Sequence, residues 1–325
     1  MRYAEGAGRL FPPSSIQLLR STRHLKPTPI FDTNVFSHVE RGLIKREDWR
    51  TLLRHRPRKG WRLSSVTALE LLAGIETVPF ANIKNQLNLA FDLSNGRILD
   101  DPRHLICSEV LRIPLPAEFE PFGHLLTRYL DVARHATSKD EILRKEVRYK
   151  STLTHGRGRA GFPPNVITDV VEGPKRKWKQ EVERILTQNY PNWREHFMKT
   201  GKRMPADIRE VHKPTQAWDA QRALFGKSFL EWVHADPTPE NITDITARLS
   251  AAIDYTTFVA REVVINNYSV EKHDSDVYDQ FQLLHLALDR FVIVTADPDL
   301  SKRTARSPQA NRIMSFQQFL DEVQS

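Results

Sequence analysis

Short apolar runs stand near the two ends of this chain, and helically spaced apolar positions fill the stretch between them. Near the start, Pro29-Ile30-Phe31 predicts a strand that ends at Phe31-Asp32. Asn34 to Arg54 reads as helical, Trp61 to Ser64 as a second strand, and a helix opens near Ser65 or Thr67. Ile83, Leu87, Ala90 and Phe91 keep the spacing of a further amphipathic helix. Phe122, Leu125, Leu126, Tyr129 and Ala133 predict another, and Ile242, Ile245, Leu249, Phe258 and Val259 a long later one. His155 to Pro164, rich in glycine and arginine, reads as a loop. The closing segment predicts a helix over Asp276–Leu288 and an apolar strand over Phe291–Thr295. An edge strand at Arg312–Ser315 and a last helix at Phe316–Val323 follow.

Strands alternating with helices at both ends predict an α/β fold with a central parallel sheet. Few runs between Arg97 and Val270 alternate with period two, so this stretch is expected to be a mainly helical insertion. The expected organisation is a basic, proline-punctuated arm over 1–28, a first α/β part over 29–96, the insertion over 97–270 and a second part over 271–325. An insertion of that length is far longer than ordinary loops and must pack a layer of its own.

Composition narrows the picture in three ways. The formal net charge of +8 favours a polyanionic partner, nucleic acid first. The single cysteine, Cys107, excludes an internal disulfide and a thiolate zinc cluster. No apolar stretch approaches the roughly 18–20 residues that span a bilayer, and the first 23 residues lack the apolar core of a secretory signal. The expectation is a cytoplasmic protein with no membrane partner.

Candidate chemistry lies in four carboxylates. Asp32 follows the first apolar run and precedes Thr33 and Asn34. Glu70 lies in Ser64-Ser65-Val66-Thr67-Ala68-Leu69-Glu70. Asp279 heads the apolar stripe of Leu283 and Leu286, and Asp297 follows the strand Val292-Ile293-Val294-Thr295. Carboxylates gathered at strand ends repel one another unless a hard divalent cation joins them. Each also has a plainer reading. Asp32 would cap the helix that follows, and Glu70 would close a capping box with Thr67. Asp297 would cap a helix that starts with Pro298. Asn34 either holds Asp32 or stabilises a turn, and Thr295 either bonds a cation's water or caps its strand. Asp276 is a fifth acidic contact, an alternative ligand or, first among these, a solvated first-turn residue.

These four stretches resemble the four acidic motifs of PIN-domain nucleases. The resemblance covers roughly residues 28–95 and 271–325 and leaves out the long middle. It implies an α/β/α sandwich with a central parallel sheet, and Mg²⁺ or Mn²⁺ held by Asp32, Glu70, Asp279 and Asp297, supported by Asn34, Thr295 and Asp276. The implied activity is hydrolysis of single-stranded RNA to 5′-phosphate and 3′-hydroxyl ends. Basic residues Arg54, Arg56, Arg58, Lys59 and Arg62, with Lys175, Arg176 and Lys177, would track the phosphate backbone, while Trp178 or Trp193 would offer a stacking face; as a bland alternative these are solvated charge runs. Two other classes fit the same residues. One is a toxin-like ribonuclease silenced by an inhibitory protein partner; the other is a non-catalytic module of the same fold that binds nucleic acid or protein. Either is compatible with a homo-oligomer. Histidines show no zinc spacing, and no Walker or dinucleotide fingerprint occurs.

Overall fold

Ile30 and Phe31 are consecutive strand residues, so they must face opposite sides of a sheet, and they join different apolar clusters. The computed structural model describes residues 27–114, 123–144, 146–150, 157–161, 180, 216–266 and 276–325. Within it, β1 (Thr28–Phe31) lies parallel to a later strand, Phe291–Thr295, which in turn lies parallel to Ile313–Ser315. The central strand Phe291–Thr295 is buried along its whole length, which explains its unbroken apolar run. Its residues alternate as β1's do. Phe291 and Ile293 face one cluster, and Val292 and Val294 the other.

Helices cover both faces. Against Phe31, Val292 and Val294 pack α1 (Thr33–Glu40), α2 (Arg46–His55), α3 (Ser65–Thr77) and α4 (Phe80–Ser94). After the short α5 (Pro102–Leu105) come α6 (Gly123–His135) and α7 (Lys139–Arg144) on the same side. An antiparallel pair follows, β2 (Glu146–Lys150) with β3 (Arg157–Gly161). The opposite face, carrying Ile30, Phe291, Ile293 and Ile313, is covered by α8 (Gln216–Trp232), α9 (Pro239–Arg248) and α10 (Ser250–Asn266). α11 (Asp276–Leu283) leads into β4 (Phe291–Thr295). Then come α12 (Pro298–Arg303), β5 (Ile313–Ser315) and α13 (Phe316–Gln324). The chain is mixed α/β and mostly helical, with a small three-stranded parallel sheet in the order β1-β4-β5. No helix among the described residues is long and apolar enough to cross a membrane.

Several elements differ from the expectation for identifiable reasons. The helix expected over Asn34–Arg54 is two helices, because Gly42 adopts φ 77° after α1. Trp61–Ser64 makes only an isolated parallel bridge, Leu63 with Ile98, since Ser64 already caps α3 by accepting the Val66 N–H at 3.1 Å. The long helix through Leu249 is divided into α9 and α10. There the Gln309 side chain donates to the Arg248 carbonyl at 2.8 Å and accepts the Ala251 N–H at 3.1 Å. Asp276–Leu288 tightens to a 3₁₀ turn over Leu284–Ala287, where Gln309 and Arg312 capture the Leu286 carbonyl. Part of the expected loop His155–Pro164 is strand β3, and the rest of it lies outside the described residues. So do nearly all of the basic arm, Phe122, Trp178 and Trp193.

Two glycines separate backbone conformation from packing. Gly42 (φ 77°) has nothing within 4 Å of an added Cβ, whereas at Gly60 (φ 76°) that carbon would lie 2.9 Å from the Leu93 carbonyl oxygen. Gly42→Ala should therefore cost about 1 kcal/mol and Gly60→Ala roughly 2–4 kcal/mol, read by urea unfolding. Equal losses would show that the α4 contact is unimportant.

Candidate acidic site

Asp32 lies one residue beyond β1, and its N–H still donates to Val294 of β4 at 2.9 Å. It precedes α1 with extended backbone, yet its side chain makes no capping bond. Instead the Thr295 hydroxyl donates to Asp32 Oδ2 at 2.7 Å. The same hydroxyl oxygen accepts Asn34 Nδ2 at 3.2 Å and the Asp297 N–H at 2.9 Å. One proton and two lone pairs are thus all used, which fixes the Thr295 rotor. Asn34 Oδ1 accepts the Ala296 N–H at 2.8 Å, so Asn34 ties down the turn after β4 rather than Asp32 itself.

Glu70 does not close a capping box with Thr67. The helix starts earlier, at Ser65, and the Thr67 hydroxyl donates to the Phe31 carbonyl at 2.8 Å while accepting Gln282 Nε2 at 3.2 Å. Glu70 consequently sits one turn further along α3, where Thr33 Oγ1 donates to its Oε2 at 2.5 Å. Asp297 does cap α12, accepting the Asp299 N–H at 2.8 Å, with Pro298 opening the helix. Asp299 is exposed.

Asp279 and Asp276 come from the start of α11. The Tyr255 hydroxyl of α10 lies 2.8 Å from Asp279 Oδ2 and 2.9 Å from Asp276 Oδ1. Asp276 is not the solvated residue expected. It is 3% exposed and forms an ion pair with Arg303 at 2.8 Å, a partner placed by α12. Neither Tyr255 nor Arg303 was singled out from the sequence. A phenol on an otherwise apolar helix face, needing a buried partner, is the one signal that could have pointed to Tyr255.

The electrostatics show which acids meet. Burial raises the Asp32 carboxyl to about 6; the Thr295 hydroxyl and the amides of Thr33 and Asn34 oppose this, and the nearby charge of Asp297 adds to it. Asp279 is raised well above the usual carboxylate range by burial, then by Asp32 and Glu70, with Tyr255 pulling the other way. Asp32, Glu70, Asp279 and Asp297 therefore gather within electrostatic reach at the carboxyl ends of β1 and β4, the edge where open α/β sheets bind ligands. Among the described residues, however, no three His, Cys, Asp or Glu side chains converge closely enough to hold one metal ion.

His285 is a core residue. Burial lowers it to about 4, and its Nδ1 lies 3.0 Å from the Gln282 carbonyl. Of the basic stretch Arg54–Arg62, expected to be a loop, Arg54 and His55 end α2, and Arg56 onward is pinned to the C-terminal end of α4. Arg56 donates to Asn95 Oδ1 at 2.8 Å, and Asn95 and Arg97 donate to the carbonyls of Arg58 and Lys59. Arg54, Arg58, Lys59 and Arg62 are exposed. Lys175, Arg176 and Lys177 lie outside the described residues.

Comparison with protein-family models, with curated proteins and with solved structures finds no match. What the site does must therefore be argued from its own chemistry.

Raised carboxyls bind protons in the folded chain that the unfolded chain has already released. The stability that Asp32 adds in this way is complete below the unfolded value of 3.8 and is lost as pH rises through about 6. Without added divalent cation, Asp32→Asn should be roughly 2–3 kcal/mol more stable than the parent at about pH 7.5, with the gap closing towards about pH 4. Urea unfolding across this range checks it; parallel stability curves for the two proteins would refute it.

Proposed function

We propose that this chain is a PIN-like, metal-dependent endoribonuclease that hydrolyses phosphodiester bonds of single-stranded RNA in the cytoplasm. One observation carries the reading. Four acids from four separate elements are brought to one edge of a parallel sheet, and burial raises two of them, Asp32 and Asp279, above the usual carboxylate range. Gathering like charges there opposes folding, and residues kept at such a cost are candidates for chemistry.

The donor set is all oxygen, which suits Mg²⁺ or Mn²⁺ rather than zinc or copper. Asp32, Glu70, Asp279 and Asp297 would hold the ion. Such a cation supplies a coordinated water of lowered pKa and stabilises charge on the phosphoryl oxygens. Thr295 orients Asp32, and Thr33 orients Glu70. The exposed cations of the Arg54–Arg62 stretch, together with the net charge of +8, would draw in the phosphate backbone.

A second reading follows from the same geometry. As they stand three of the acids are each met by a hydroxyl, and among the described residues no three acidic side chains close on a single point. That favours a binding module in which the carboxyls serve only to pin the strand ends.

Labelled single-stranded RNA, incubated with and without Mn²⁺, separates the two. The enzyme reading expects cleavage to 5′-phosphate and 3′-hydroxyl ends, lost on chelation and weakened by salt. Asp32→Asn and Asp297→Asn should each abolish it while the protein stays folded by circular dichroism. Cleavage surviving in both variants, or RNA retained without any cleavage by the parent protein, would overturn the proposal.

A further inference from the structure

Tyr255 lies on α10, outside every strand and helix that carries the acids, and is fully buried. Its oxygen lies between two carboxylates, 2.8 Å from Asp279 Oδ2 and 2.9 Å from Asp276 Oδ1. A phenol has one proton and can donate to only one of them. Arg303 settles which. Its Nη1 lies 2.8 Å from Asp276 Oδ1 and 2.9 Å from the phenol oxygen, and its guanidinium stands 5.4 Å from the centre of the tyrosine ring. Asp276 is thus served by a charged donor, and the phenol oxygen accepts an arginine N–H. The phenol proton is left for Asp279. A carboxylate is planar, so holding Oδ2 also restricts where Oδ1 points.

The contact joins two parts of the chain that the sheet does not connect. α11 brings Asp279, α12 brings Arg303, and α10 belongs to the helical stretch between the two strand-bearing ends. Without Tyr255, Asp279 would lose a hydroxyl that counters the repulsion from Asp32 and Glu70.

We propose that Tyr255, oriented by Arg303, is a positioning residue that aims the Asp279 carboxylate, so that helix α10 sets the affinity of the acidic site for a divalent cation. The inference rests on reading the four acids as a cation site. Tyr255 itself touches neither the cation nor the phosphate. It acts through Asp279, as partners of ligating carboxylates do, and loss of such a partner typically weakens metal binding or activity about 10–100-fold.

Mn²⁺ titration calorimetry on the full chain tests this, alongside thermal melting and RNA cleavage with kcat and KM resolved. Tyr255→Phe keeps the ring and removes only the hydroxyl. The expected result is Mn²⁺ affinity weakened about 10–100-fold and a lower kcat, with KM for RNA within about threefold and cooperative melting retained. A merely structural tyrosine would lower the melting temperature and leave Mn²⁺ affinity unchanged below it, which would overturn the proposal. If Tyr255→Phe does not melt cooperatively, Arg303→Lys decides. It keeps a cation beside Asp276 but replaces the planar fork with a single point donor. Weaker Mn²⁺ binding in that variant supports positioning, and unchanged binding overturns it. A parent protein that neither binds Mn²⁺ nor cuts RNA would instead remove the underlying cation-site reading, and this inference with it.

Discussion

Bringing carboxylates together where water is scarce is the constraint from which the rest of this structure follows. Each of three acids is met by one hydroxyl: Thr295 at Asp32, Thr33 at Glu70, Tyr255 at Asp279. A hydroxyl is a suitable counterpart, since it stabilises a charged carboxylate as a donor and can turn to accept from a protonated one. Arg303 pairs with the neighbouring Asp276. The free energy that tolerates this arrangement comes from the two apolar clusters on either face of the sheet. β4 contributes to both of them, with Phe291 and Ile293 in one and Val292 and Val294 in the other.

Much of the frame was legible because strand ends and helix starts are local matters. Asp32 after Ile30-Phe31, Asp297 between Thr295 and Pro298, and the fully apolar β4 each follow from a handful of neighbouring residues. Ser64, not Thr67, begins α3, and that one-turn difference turns Glu70 from a cap into a group facing Thr33. The early start was one of the two openings the sequence offered, because Ser64, Ser65 and Thr67 are all competent caps.

Other features were illegible because they depend on side chains that arrive from far along the chain. Nothing between Ile242 and Val259 announces a break at Leu249; Gln309 makes it, by bonding backbone on either side. The same glutamine, with Arg312, captures the carbonyl that ends α11 as an α-helix. Asp276 looks like a solvated first-turn residue until Arg303 and Tyr255 are placed beside it. Helical periodicity reports which face is apolar. It does not report which distant polar group interrupts the ladder.

The pairing of β1 with β4 also bears on how the protein is made. Thr295 and Asp32 are separated by 263 positions. During synthesis β1 leaves the ribosome long before its partner β4 exists, and loop closure over so great a separation is slow. A nascent or truncated chain therefore carries Asp32 and Glu70 without Asp279, Asp297 or the strand that aligns them. The acidic edge of the sheet is complete only after β4 and the turn that follows it have been made.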